Sequence, residues 1–318
     1  MRLSIILLIY LIFLFACKRQ TTNDYEVFFD QTFKLIEDNS LKSESINWSE
    51  LSKIVKDSIK RFDCNEDVYR AIDYTMQLVD DGHSIFVAAQ DSNKGKLSNP
   101  LHINKLSIPP INKMIIGGNI GYIKLNGFIA NDSLTRIYAL NIRKTLIALD
   151  NTSKLNGWIV DLRNNSGGKL TSESLGLYPL FTSSLIGVAC DNKNTFKDIY
   201  LKNSYFYFDN NKIDRLDYDS VLINKNKKIA VLVSNKTVSA GEFLALAFTF
   251  QENTKLFGTK TKGKTSHLRL FEFKSNAKLL LATDYYCDRN RNKLIKGLVP
   301  EIECKNDECL SKAIEWIN

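Results

Sequence analysis

The chain predicts an α/β protein: a small helical unit followed by a twisted, mostly parallel sheet with flanking helices. Three observations carry this. Apolar residues recur at helical spacing in three segments before residue 82. From residue 119 onward, short apolar strands alternate with helical runs. Two of those strands are continuous apolar runs, as expected where both faces of a sheet are covered.

In order, "YEVFFDQTFKLIED" has helical spacing from Tyr25. "NWSELSKIVKDSIKRF" opens with Asn47 and Glu50 in cap positions and carries Leu51, Ile54, Val55 and Ile59. "NEDVYRAIDYTMQLVDD" repeats the arrangement from Asn65, with Val68, Ile72 and Leu78, and the helical unit closes at "DDGHSIFV". Residues 93–118, with Pro100, Pro109 and Pro110, read as a connection after a helical unit spanning 18–92. Then "IGYIKLNGF" reads as a strand, "SLTRIYALNIRKTLIALD" as a helix, "NGWIVDLR" as a strand and "LTSESLGLYPLF" as a helix. A polar stretch covers 188–226. "KIAVLVS", "SAGEFLALAFTF" and "TKLFGT" repeat strand, helix, strand, and "HLRLFEF" with "AKLLLATDYY" reads as a hairpin turning at Ser275-Asn276.

The N-terminus carries an address. Arg2 precedes an apolar stretch from Leu3 to Phe15, and Ala16-Cys17 follows. The stretch is short for a bilayer span and has the build of a secretory signal. "LFAC" resembles a bacterial lipobox, so residues 1–17 are expected to act as a lipoprotein signal with Cys17 as the lipidated residue. The expectation is an exported protein held at the cell envelope by its lipid. Five cysteines remain, an odd number, and Cys304 and Cys309 are near enough in sequence to bridge in an oxidising compartment.

Formal net charge is +8, but the lysines are scattered and no basic stripe is interleaved with aromatics. Nucleic-acid binding is not expected. No cysteine–histidine spacing suggests a metal site, and no metal or other cofactor is expected.

Chemistry is concentrated in three loops. "DLRNNSGG", "NKTVSAGE" and "TKTKGKTS" each follow an apolar strand. Parallel strands joined by helical crossovers gather such loops on one carboxyl edge, where α/β sheets bind ligands. The first loop brings Gly167 and Gly168, whose backbone can turn its amides toward a ligand. The second brings Ser239 and Ala240 at a helix N-terminus, which favours developing negative charge. Glu242 stands three residues on, at capping-box spacing. The third brings Lys264, an amine that a dry site could turn into a base. A hydroxyl, an amine and backbone donors suffice for acyl transfer.

These three motifs, in this order, resemble the tail-specific (C-terminal processing) serine peptidases over residues 119–303. The resemblance implies a crotonase/ClpP-like twisted core over 119–318 and a protein or peptide substrate. It implies Ser239 as nucleophile, with Lys264, 25 residues later, as its base. Gly168 and Ala240 would hold the oxyanion, Gly167 would shape the turn, and Glu242 would cap the helix and orient Lys264. Positions 84–118 are too few to hold the PDZ domain of many relatives, so this is a PDZ-less member. The glutamine that often follows the lysine by four residues is replaced by Leu268, beside His267. "DDGHSIF" resembles a segment of PDZ-less relatives in which a histidine is the base, which makes His83 the rival of Lys264. The expected function is an exported, lipid-anchored serine endopeptidase. The alternative is an inactive, peptidase-like envelope lipoprotein that binds peptides or envelope components.

Overall fold

The computed structural model describes residues 22–89, 107–218, 223, 226–305 and 307–318. The signal segment and Cys17 lie outside the described residues.

Three helices come first: α1 (Thr22–Asn39), α2 (Trp48–Ile59) and α3 (Asn65–Val79). Asn47 caps α2 by accepting the Glu50 N–H at 3.3 Å. The cap of α3 is Cys64, one residue before the expected Asn65, because Asp67 reaches back to accept the Cys64 N–H at 3.2 Å. Phe29, Ile36, Val55, Val68 and Ile72 are fully buried between these helices.

After β1 (Ile85–Val87) and β2 (Asn112–Ile116) the α/β alternation begins. It runs β3 (Ile120–Lys124), α4 (Asp132–Thr152), β4 (Gly157–Asp161), α5 (Leu170–Leu177). A meander follows: β5 (Leu185–Cys190), β6 (Phe196–Lys202), β7 (Tyr205–Phe208), β8 (Asn211–Arg215). The chain closes with β9 (Lys228–Val233), α6 (Ala240–Thr249), β10 (Thr254–Gly258), β11 (Ser266–Glu272), β12 (Lys278–Cys287), β13 (Ile302–Glu303) and α7 (Asp307–Ile317).

Two sheets result. One has the order β13-β10-β9-β4-β3-β2 and is parallel except for β2. The other is antiparallel, in the order β1-β12-β5-β6-β7-β8, with β11 also paired to β12. The second sheet departs from the expectation: the polar stretch 188–226 holds three of its strands, and residues 112–116, expected in a connection, pair with β3 as β2. Nor does the helical unit end before the sheets begin. β1 pairs with the far end of β12, and Leu279 and Leu281 of β12 join the core of α1–α3.

The parallel sheet is covered on both faces. Ile123, Trp158, Val160, Ile229 and Val231 pack with the helices α4–α6 and with Ile186 and Val188 of the antiparallel sheet. Ile120, Ile159, Ala230, Leu232 and Phe257 face the other way, toward Ala313 and Ile317 of α7. Strands buried on both faces need no polar alternation, which is why "GWIV" and "IAVLV" are unbroken apolar runs. A Cys304–Cys309 disulfide ties the start of α7 to β13.

Candidate active site

The loops after β4, β9 and β10 meet at the carboxyl edge and are stitched together by backbone and side-chain hydrogen bonds. Val238 N–H donates to the Asn165 carbonyl at 2.9 Å, and Thr237 Oγ1 donates to the Leu162 carbonyl at 2.8 Å. Lys262 N–H donates to the Thr237 carbonyl at 3.1 Å. Asp161 is fully buried and anchors the first loop through Arg163 (Nη2 to Oδ2, 2.6 Å) and the Tyr122 hydroxyl (2.8 Å).

Ser239 sits at the mouth of α6 with φ 54° and ψ −117°. That backbone is unfavourable for any residue with a Cβ, and such outliers cluster where a side chain must be held for function. The strain is maintained by Glu242. Its fully buried carboxylate accepts from Ser239 N–H (3.1 Å), Gly263 N–H (2.7 Å), Lys264 N–H (2.8 Å) and Thr261 Oγ1 (2.5 Å). Glu242 therefore does more than cap a helix: it ties the serine turn to the lysine loop.

The Ser239 hydroxyl meets His83, with Oγ to Nε2 2.9 Å. His83 Nδ1 is 2.7 Å from Ser266 Oγ at the start of β11. The histidine is positioned from outside the α/β core. Left-handed backbone at Asp80 and Gly82 ends α3 in a tight turn, in which Asp81 Oδ1 accepts the amides of His83 (2.9 Å) and Ser84 (2.7 Å). Ser84 Oγ in turn accepts the Ala282 amide of β12 at 2.8 Å. His83 is 7% exposed. Burial, then the nearby charge of Lys264, pull its pKa down to about 4, against the opposing pull of Asp81.

The backbone of Lys264 reaches the same place. Its amide is held by Glu242, and among the described residues its ammonium makes no hydrogen bond or ion pair. Among the described residues no hydrogen bond joins Lys264 to the Ser239 hydroxyl, whose contact is with His83. Leu268 lies in β11 opposite Ala282, and His267 stacks on Phe208 with ring centroids 4.4 Å apart.

The glycine pair closes the other side. Gly167 has φ 95°, and a Cβ there would lie 3.0 Å from the Ser239 Cβ and 3.4 Å from the Ala240 nitrogen. The bare backbone thus leaves room between the loop and the mouth of α6. A Cβ on Gly168 would strike the Phe128 carbonyl oxygen at 2.2 Å. Gly167 N–H is already donated to Asn165 Oδ1 at 2.9 Å. Gly168 N–H and Ala240 N–H have no hydrogen-bond acceptor among the described residues.

A cavity of about 590 Å³ is walled by Lys169, Leu170, Phe206, Phe208, Ile213 and His267, among others. Among the described residues no group of three His, Cys, Asp or Glu could hold a metal.

Sequence reasoning missed Ser266 and Asn165. Both stand inside quoted motifs, "TKTKGKTS" and "DLRNNSGG". Strand alternation starting at Ser266 was the available signal for the first.

A hydroxyl on a strained turn, a neutral imidazole and two unpartnered amides form the kind of site that serine hydrolases use. The comparisons make the class more specific. The model of peptidase family S41 matches residues 119–304, more than half the chain, and the chain belongs to that family. It is 32% identical over 212 residues to the nisin-resistance protein of Lactococcus lactis subsp. lactis, covering 64% of this chain and 62% of that protein. It is 27% identical over 186 residues to a carboxyl-terminal-processing protease of Synechocystis sp., covering 58% and 38%. The chain thus spans less than two thirds of the length of these curated relatives. A lipoprotein structure from Streptococcus agalactiae shares the fold over 99% of both chains, with a TM-score of 0.74 and 20% identity. The photosystem II D1 C-terminal processing protease does so over 91% of this chain and 96% of that one, with a TM-score of 0.57 and 13% identity.

Proposed function

We propose that this protein is a serine endopeptidase of the cell envelope, exported and tethered through a lipid on Cys17, with a crotonase/ClpP-like core. The observation that carries the reading is the 2.9 Å contact between Ser239 Oγ and His83 Nε2, beside two free amides.

In the proposed reaction a peptide carbonyl lies over Ser239 with its oxygen between the amides of Gly168 and Ala240. Gly167 gives the turn its shape. With His83 Nδ1–H donating to Ser266, Nε2 is free to accept the Ser239 proton as Oγ bonds to the carbonyl carbon. The amides and the N-terminus of α6 stabilise the oxyanion. His83 returns the proton to the leaving amine as the C–N bond breaks. Water, deprotonated by the same ring, then releases the acyl group and restores Ser239. The chemistry calls for no metal or other cofactor. His83, the rival base, takes the part first given to Lys264; burial, helped by the charge of Lys264, disfavours the imidazolium at rest. The alternative, a peptide-binding protein without activity, draws on Leu268 in place of the family's glutamine. In the present reading the base is His83, and Ser266 Oγ faces its Nδ1 at 2.7 Å.

The reading is tested with a mixture of unstructured peptides and with nisin, suggested by the Lactococcus relative. New peptide termini accumulating with enzyme concentration are expected; intact peptides after prolonged incubation would contradict the reading. The anchor is tested separately. Cys17→Ala is expected to release the protein from the membrane fraction and abolish palmitate incorporation, and unchanged membrane attachment would refute lipidation at that residue.

A pH prediction follows from the depressed pKa of His83. A base must be unprotonated, so the acid limb of kcat/KM is expected near pH 4, well below the ~6.5 of an unperturbed histidine. Lys264→Gln removes a charge that disfavours the imidazolium, so that limb moves to higher pH. An acid limb that stays put in Lys264→Gln would show that the amine does not act on His83.

A further inference from the structure

Beneath the glycine loop lies a fully buried pair that the reaction does not touch. Asn165 and Glu173 both have no exposed surface. Asn165 Nδ2 donates to Glu173 Oε1 at 3.1 Å and approaches Oε2 at 3.4 Å. Its Oδ1 accepts Gly167 N–H at 2.9 Å, and its backbone carbonyl accepts Val238 N–H. One residue thus joins the glycine loop to the serine turn. A Cβ on Gly241 would lie 2.8 Å from Asn165 Oδ1, so α6 also presses on this amide.

A primary amide can be turned by half a rotation with little change in shape, exchanging its donor and acceptor ends. Two groups choose the orientation together: Gly167 N–H offers a donor to Oδ1 and Glu173 an acceptor to Nδ2. Burial pushes the Glu173 carboxyl up to about 8, so near neutrality it carries a proton, and its unprotonated oxygen is the acceptor that Nδ2 points to, with Oδ1 left toward Gly167. With an apolar group at 173, Nδ2 would be buried without a partner, and the amide would be oriented by the Gly167 contact alone. Glu173 stands in the first turn of α5, and its helical position fixes the carboxyl relative to the loop just before it.

Building on the peptidase reading, we propose that Glu173 is a positioning residue. By fixing the orientation of the Asn165 amide it holds Gly167, and so sets the direction of the Gly168 N–H offered to the oxyanion. It acts on the transition state and not on peptide binding at a distance from the reacting carbonyl.

The test uses Glu173→Leu and Glu173→Gln in the full chain. In Glu173→Leu, kcat is expected to fall roughly ten- to a hundredfold with KM within about twofold, the mark of a misplaced oxyanion donor. Glu173→Gln keeps an acceptor for Nδ2 and is expected to restore most of kcat. A Leu variant with wild-type kcat, or a Gln variant as impaired as the Leu variant, would overturn the proposal. Amide hydrogen exchange at Gly167 reads the same contact without turnover. It is expected to accelerate in the Leu variant and stay protected in the Gln variant. Unchanged exchange in both would overturn the proposal even if the protein cut nothing, whereas absent hydrolysis by the wild type with altered exchange would count only against the peptidase reading.

Discussion

Ser239→Ala is expected to lower peptide hydrolysis by a factor of about 10⁴ or more, leaving only what the oxyanion donors and substrate binding contribute. Acyl transfer needs an oxygen at the reacting carbon, and Ser239 Oγ is the hydroxyl held against His83 at the mouth of α6. Alanine occupies the same strained backbone with the same Cβ. The hydrogen bond from the backbone amide of residue 239 to Glu242 does not use the hydroxyl. Unfolding free energy should therefore change by no more than about 1 kcal/mol. The measurement is steady-state hydrolysis of a fluorogenic peptide together with a denaturant melt. A variant that keeps more than a tenth of the activity while folding normally would remove Ser239 from the reaction.

His83→Ala is expected to cost nearly as much, and the double variant with Ser239→Ala no more than either alone, because a nucleophile and its base act as one unit. Lys264→Ala is expected to retain activity within about tenfold at neutral pH, since its part is an electrostatic one. The contrast distinguishes two mechanisms that the motifs leave open. If Lys264→Ala were the inactive variant and His83→Ala the active one, the lysine would be the base and the His83 contact incidental. His83→Ala also opens a small space between α3 and β11, so its melting temperature belongs beside its rate.

The parallel sheet was legible in the sequence because its strands are continuous apolar runs with helices between them. That arrangement also put the loops of Gly168, Ser239 and Lys264 on one edge. The meander was not legible. "NKIDR" in β8 is largely exposed, and the Asn203-Ser204 turn carries two positive φ angles without the glycine that marks such hairpins. β2 begins two residues after Pro110 and was absorbed into a connection.

The site divides along the same line. Ser239, Ala240, Gly167, Gly168 and Glu242 could be gathered from loop position alone, since the path of the backbone places them. Choosing between Lys264 and His83 needed side-chain direction. A loop motif gives the path of the chain, but the aim of a four-carbon amine depends on what surrounds it. His83 belongs to the helical unit, 156 residues before Ser239. It reaches the site because β1 and Ser84 are fastened to β12, a long-range antiparallel pairing that no local pattern announces. Glu173 was hidden for another reason: within "LTSESLGL" it reads as an ordinary acidic residue in the first turn of a helix.

The most direct test of the central claim, that His83 activates Ser239, is covalent labelling by a serine-reactive fluorophosphonate, located by mass spectrometry of the digested protein. A single adduct on the peptide containing Ser239 is expected in the wild type and at a comparable rate in Lys264→Ala, with labelling lost in His83→Ala. No adduct on the folded wild type, or undiminished labelling of Ser239 in His83→Ala, would contradict it.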